Sequence, residues 1–190
     1  MSLRIVFGGV GIAVAIVIVQ CSNAPVTTHT FPIQHRAVSA SCPTTRPPGI
    51  TSSDGGSPIG SSCTTDADCT QGTNGRCGPQ GGNISGDSCT YDLCFTDTDC
   101  STGNACLCNA RGNNCLPENC RTDSDCAGLG CSPTSSPTCG PAYGTTGFYC
   151  HTANDECVDD ADCNEGGLNG YCAYQMQVGH WACSYGFCTG

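Results

Sequence analysis

Lysine is absent from this chain of 190 residues, and six arginines face sixteen Asp and Glu, for a formal net charge of −10. All the acids lie at or after Asp54, while only Arg76, Arg111 and Arg121 lie at or after Cys63. So anionic a C-terminal part is repelled by nucleic acid and by anionic lipid, which excludes both as its partners. A net charge of this size keeps a protein with little core in solution. Large apolar side chains are also scarce. From Cys63 onward Leu, Ile, Val, Phe, Met and Trp together number thirteen, and Trp181 is the single tryptophan. That is too few for a sizeable apolar core, and small exported domains replace such a core by cross-links. The C-x-x-C pair of zinc and redox sites does not occur, nor do G-x-S-x-G, H-E-x-x-H or a Gly-rich phosphate loop. Without those signatures the expectation is a protein that is not an enzyme and carries no cofactor.

Cysteine is what the chain has in excess. Twenty-one residues are Cys, above the roughly 8–10% that marks a disulfide scaffold. The N-terminus opens with the basic "MSLR" and an uncharged apolar run from Ile5 to Val19. The run is shorter than the roughly 20 residues of a spanning helix and matches a secretory signal. Residues 1–20 are therefore read as a signal peptide. Ile18, Val19, Gln20 and Cys21 resemble a bacterial lipobox, in which Cys21 would be lipidated and become the mature N-terminus. Gln20 stands where that pattern has a small residue. The rivals are ordinary cleavage near Ala24 and an uncleaved anchor. Each route delivers the remainder to an oxidising compartment, where disulfides persist. The expected location is the cell surface or outer membrane, as a lipoprotein, or the medium. Membrane contact is expected only through the N-terminal lipid or anchor. Without Cys21 twenty cysteines remain, from Cys42 to Cys188. That even number suits a closed framework of about ten bridges.

Residues 21–62 are rich in Ser, Thr, Pro and Gly and lack helical or strand periodicity, so they read as a flexible tether. Cys42 sits alone there and is expected to pin the tether to the ordered part. From Cys63 the chain repeats. The motif C-x-x-D-x-D-C occurs as "CTTDADC", "CFTDTDC", "CRTDSDC" and "CVDDADC", at the head of units spanning 63–94, 94–120, 120–157 and 157–190. Each closing Cys except the last also opens the next unit. Units of about thirty residues form a tandem array. Their Gly, Asn, Ser and Thr are turn residues. The expected fold is small and disulfide-rich: four Cys-rich modules of short strands, turns and loops, with little helix outside the signal segment.

The motif acids are Asp66 and Asp68, Asp97 and Asp99, Asp123 and Asp125, and Asp160 and Asp162. Carboxylates two residues apart can hold calcium, and the fourth unit gathers Asp155, Glu156, Asp159, Asp160, Asp162 and Glu165. An EF-hand loop needs Gly at its sixth position and Glu at its twelfth. Counted from Asp160 these are Glu165 and Tyr171. The favoured reading is structural: the Asp at the fourth position accepts backbone N–H bonds, opens a turn and orients the following Cys. The last unit also carries Tyr171, Tyr174, Met176, His180, Trp181, Tyr185 and Phe187. They read as a small core for an end-capping unit. Alternatively they form a recognition patch for a protein or glycan, since Trp and Tyr are enriched at binding hot spots.

The motif resembles the centre of whey acidic protein four-disulfide-core domains and the N-terminal Cys-rich region of the Dickkopf antagonists. The best window for the former is Cys77, Cys89, Cys94, Cys100, Cys106, Cys108, Cys115 and Cys120. Leu107 separates two cysteines that are adjacent in that family. The resemblance implies serine-protease inhibition through the loop Gly78–Ser88. Taken whole, the chain resembles the Cys-rich repeat surface lipoproteins of myxobacteria, which implies location and architecture but no activity. The function expected is a non-catalytic structural or adhesive scaffold, with protease inhibition and calcium-dependent binding as alternatives.

Overall fold

The computed structural model describes residues 31–49, 62–79, 86–136, 140–165 and 168–185. Every C-x-x-D-x-D-C motif folds into one short 3₁₀ turn: Asp66–Asp68, Asp97–Asp99, Asp123–Cys126 and Asp160–Cys163. The second acid of the motif makes the turn. Asp68 Oδ2 accepts the backbone N–H of Thr64 and of Thr65, each at 2.8 Å. Asp99 does the same for Phe95 and Thr96, Asp125 for Arg121 and Thr122, and Asp162 for Val158 and Asp159. Backbone donors at a helix start have no intrahelical partner, and a short acidic side chain supplies one.

Each turn leads into an antiparallel hairpin. The hairpins are β1 (Thr73–Pro79) with β2 (Asp87–Asp92), β3 (Asn104–Leu107) with β4 (Asn114–Pro117), and β5 (Cys131–Ser136) with β6 (Gly140–Cys150). In the last unit a minimal pair, β7 (Asn164–Glu165) with β8 (Leu168–Asn169), precedes β9 (Tyr171–Gln175) with β10 (His180–Ser184). In every main hairpin two cysteines face each other across the strands: Cys77 and Cys89, Cys106 and Cys115, Cys131 and Cys150, Cys172 and Cys183. They are not bonded to each other. The first bonds the opening Cys of the motif, giving 63–77, 94–106, 120–131 and 157–172. The second bonds the closing Cys, giving 69–89, 100–115, 126–150 and 163–183. Two adjacent bridges thus fasten each turn to its hairpin. Cys94, Cys120 and Cys157, which the sequence shares between neighbouring units, all bond forward into the hairpin that follows them.

A two-stranded hairpin is marginal by itself in water. Here two bridges restrain each one, at about 2–4 kcal/mol per bridge in a chain-entropy view. The sulfur also fills the interior. Among the described residues four small buried clusters occur, centred on Cys63/Cys69/Cys77, Cys94/Cys100/Cys106, Cys120/Cys126/Cys131 with Phe148, and Cys157/Cys163/Cys172 with Tyr149 and Trp181. Neighbouring units join through backbone-directed bonds. Asn113 N–H reaches buried Asp92 at 2.9 Å, Asn119 N–H reaches Phe148 O at 3.0 Å, and Tyr174 N–H reaches Thr134 Oγ1 at 2.8 Å. Among the described residues there is no α-helix. The fold is a small, disulfide-rich array of short hairpins.

The structure departs from the composition most at residues 31–49, which fall inside the segment read as a spacer. They form a strap that crosses the four units in reverse order. Ile33 N–H bonds Asp159 in the fourth unit, and Arg36 exchanges backbone bonds with Cys131 and Asp123 in the third. Arg36 also stacks over Phe148, 4.2 Å from the ring centre, and binds Asp97 Oδ1 at 2.9 Å in the second unit. Cys42 is bridged to Cys108, so the lone cysteine does pin the segment. Arg46 then binds the Asn74 and Thr90 carbonyls, and Gly49 N–H binds Asp66 in the first unit. A Cβ on Gly49 would land on Cys77 O and on the Asp66 carboxylate, so only glycine permits this close approach. The strap has no apolar periodicity because its anchors are backbone groups, two guanidiniums, one imidazole and one sulfur.

Two outcomes follow. Asp97→Ala strands the Arg36 guanidinium and the N–H groups of Ala40 and Cys106, with both side chains of the ion pair nearly covered. Loss of one partner of a buried pair costs about 3–5 kcal/mol, read as a lowered guanidinium-chloride midpoint with disulfides intact. The double change Cys42→Ser/Cys108→Ser leaves all eight hairpin bridges in place. It should raise hydrogen-exchange rates at the strap amides of Arg36, Cys42 and Gly49 well above those of Cys77 and Cys131.

Candidate functional site

The first acid of each motif reaches out of its own turn. Asp66, Asp97, Asp123 and Asp160 each direct Oδ1 at the backbone N–H of the first hairpin cysteine: Cys77 at 2.9 Å, Cys106 at 2.8 Å, Cys131 at 2.9 Å and Cys172 at 2.8 Å. That cysteine is the one bridged to the opening Cys of the same motif. In the first three units the second oxygen takes the strap. Asp66 Oδ2 accepts Gly49 N–H, Asp97 Oδ2 accepts Ala40 N–H, and Asp123 Oδ2 lies 2.7 Å from His35 Nδ1. In the fourth unit the strap moves one residue upstream, and Asp159 Oδ1 accepts Ile33 N–H at 2.9 Å.

At Asp66 and Asp97 these bonds favour the ionised carboxylate. The N–H groups of Gly49 and Cys77 hold Asp66 below the usual carboxylate range, and those of Thr64 and Thr65 do so for Asp68. Burial alone pushes Asp97 up, but the donors on Arg36, Ala40 and Cys106 outweigh it and leave it lowered. Phe95 and Thr96 lower Asp99, and Arg121 and Thr122 lower Asp125.

Beside Asp159 a cleft of about 270 Å³ opens between the strap, the third unit and the fourth. Its walls include Ile33, Ser132, Pro133, Val158, Asp159 and Trp181. Two oxygens of lining residues, Asp159 Oδ2 from the fourth unit and Ser132 Oγ from the third, are buried and have no hydrogen-bond partner among the described residues. A second concave region of about 320 Å³ lies between the strap and the first unit, by Arg46, Arg76 and Arg111. Arg46 and Arg76 hold backbone carbonyls there: Asn74, Thr90 and Ala110 for Arg46, Pro47 and Arg46 itself for Arg76.

The aromatic residues of the last unit divide between interior and surface. Trp181 is 2% exposed and donates its Nε1–H to Cys150 O. His151 stacks on it at 4.3 Å, and its Nδ1 lies 2.8 Å from Asp155 Oδ2 in a pair that is almost fully covered. Burial alone would raise Asp155, but His151, Thr152 and Trp181 N–H together lower it. Tyr174 stacks on Tyr149 at 4.0 Å, and buried Tyr171 donates to Ser136 O. His180 lies 3.7 Å from Glu156. Met176 and Tyr185 are exposed. Phe187 and Cys21 lie outside the described residues, as does most of the loop Gly78–Ser88.

Of the six acids considered for calcium, Asp155, Asp159, Asp160 and Asp162 each already accept a protein N–H. Calcium requires six to eight oxygens free to turn toward one point. Glu165 ends β7 and Glu156 is exposed beside His180. In the eight-cysteine window that resembles the four-disulfide core, two bridges close internally, 94–106 and 100–115, while Cys77, Cys89, Cys108 and Cys120 bond outside it.

Sequence reasoning missed Ser132, Arg36 and the strap contacts. Ser132 sits in "CSPTSS" with no motif to single it out. The strap left one readable trace. His35, Arg36 and Arg46 precede every acid in the chain, so a cationic segment faces an anionic body.

The fold and its acids define a small disulfide-rich array of repeated turn-and-hairpin modules, each closed by carboxylate-to-backbone bonds. No family model, curated protein or solved structure matches the chain.

The lowered carboxylates set a pH dependence with a definite sign. A group whose native pKa lies below its unfolded value adds stability above the unfolded value, roughly 3.9 for Asp, and loses it as pH falls through the native one. Asp66, Asp97, Asp99, Asp125 and Asp155 all act in this direction. Melting temperatures read by circular dichroism should therefore stay level on the carboxylate side of neutrality down to about pH 5 and fall below about pH 4. Asp97→Asn should flatten that fall.

Proposed function

We propose that this chain is a non-catalytic binding scaffold that works outside the cytoplasm, held at the cell surface by an N-terminal lipid or anchor. Its partner would be a surface protein or a glycan. The observation that carries the reading is cross-linking: all eighteen cysteines within the described residues are joined, in nine bridges. Such a framework persists in oxidising compartments and is rare in the cytosol. The apolar N-terminal run and the lipobox-like "IVQC" agree with export. A cysteine nucleophile needs a free thiolate, and bridged cysteines offer none. The acids most able to do acid–base work, Asp97 and Asp155, are held ionised by neighbours inside the fold. Their role is to close the structure.

The test is the intact mass of protein taken from its own cells, with membrane and medium separated, and with iodoacetamide added before or after reduction. The expected result is no label on the eighteen bridged cysteines before reduction, labelling of all of them afterwards, and an N-terminal peptide beginning at acylated Cys21 in the membrane fraction. Free thiols among those cysteines in the freshly isolated protein would overturn the scaffold. An unmodified N-terminus near Ala24 with all protein in the medium would overturn the anchor alone.

A further inference from the structure

We infer that the cleft between the strap, β5 and the fourth turn binds a primary alkylammonium group, such as a lysine side chain offered by a partner protein. This rests on the scaffold reading and names the chemistry of its partner.

Asp159 is the first ground. Its Oδ1 is fixed by Ile33 N–H and its side chain faces the Asp162 N–H as the cap of the turn, while Oδ2 is buried and makes no hydrogen bond among the described residues. A carboxylate oxygen taken from water without a hydrogen bond is costly, and native structures seldom leave one so. Ser132 is the second and independent ground. It comes from another unit, is 3% exposed, lines the same cleft, and its Oγ has no partner among the described residues. A carboxylate oxygen and a hydroxyl from two residues lining one cleft provide two acceptors for an N–H donor.

Charge selects the ligand's sign. Asp159 and Asp160 line the cleft, and among the described residues no Arg or His lines it. Size and shape select among cations. Calcium takes six to eight oxygens turned toward one point, whereas two lining side-chain oxygens are buried without a partner among the described residues, Asp159 Oδ2 and Ser132 Oγ. A guanidinium is a planar fork that matches two carboxylate oxygens, and Asp159 has one to give. An ammonium is a compact charge with three donors on a flexible apolar stem. Ile33, Pro133 and Val158 form the surface along which such a stem is covered. The chain contains no lysine in any of its 190 residues, so it cannot supply this group from its own side chains or from those of a second copy.

Trp181 lines the cleft and is the single tryptophan, so its fluorescence reports on the site. The experiment titrates the oxidised, full-length mature protein with Nα-acetyl-lysine amide at constant ionic strength. Nε-acetylated probe, Nα-acetyl-arginine amide and calcium chloride serve as comparisons. The expected result is a saturable change with the lysine probe, half-complete in the millimolar range, and no saturation with the other three. Asp159→Asn keeps an oxygen for Ile33 N–H and should raise the half-saturation by about tenfold, as loss of a charge-assisted hydrogen bond does. Ser132→Ala should weaken the response without touching the strap, and it decides the matter if Asp159→Asn shifts the melting curve. A linear response, equal saturation by the Nε-acetylated probe, saturation by calcium or arginine instead, or unchanged binding in both variants would overturn the assignment. If the protein is fully bridged and the lysine probe fails, the cleft assignment falls and the scaffold stands. Free thiols would remove the scaffold whatever the titration shows.

Discussion

Everything in this molecule depends on one repeated constraint: a carboxylate held against the amide of a half-cystine. The first acid of each motif accepts the N–H of the first hairpin cysteine, and that cysteine is bridged to the Cys three residues before the acid. A covalent bond and a charge-assisted hydrogen bond therefore close the same small ring. Neither would position the turn so well alone. The bridge limits separation but leaves rotation, and the carboxylate removes the rotation. The second acid closes the turn itself, so the two acids of C-x-x-D-x-D-C have separate duties. One builds the local turn and the other docks it on the hairpin.

That division explains how a chain poor in apolar residues stays ordered. Each unit buries chiefly sulfur, with one larger buried side chain in the third cluster and two in the fourth. The strap then converts four small units into one body. It does so with the oxygens the docking bond leaves over, since Asp66, Asp97 and Asp123 each turn their second oxygen to it. The fourth unit departs from this rule. There the strap uses Asp159 in place of the motif acid, and the cleft with its two unpartnered oxygens lies at that change of partner.

The negative charge has a structural use as well as a solvating one. Carboxylates serve as acceptors for backbone donors that a larger protein would satisfy within longer helices and wider sheets. The basic residues of the strap, His35, Arg36 and Arg46, are set against that anionic body. Arg36 alone touches Asp97, Cys131 and Phe148, and so ties the second unit to the third.

Sequence alone determined the disulfide class, the four-fold recurrence of the motif and the pinning by Cys42. These are local in the chain, or follow from composition and parity, and so are legible in one dimension. It assigned the turn to the fourth-position Asp, whereas the structure gives the turn to the second acid and the hairpin-cysteine N–H to the fourth-position one. It also raised the aromatic group of the last unit, without deciding between core and surface. Tertiary structure decided that Trp181 and Tyr171 lie inside while Met176 and Tyr185 lie outside. Tertiary structure likewise decided which cysteines bond, that facing cysteines of a hairpin bond to the turn and not to each other, and that a segment without periodicity becomes a strap. Pairing among many cysteines depends on which sulfurs the hairpins bring within about 2 Å of one another, and no spacing rule in the chain encodes it. The strap is invisible for a related reason: it is held mainly by backbone N–H groups, which every residue but proline carries, so the sequence has no letter for them.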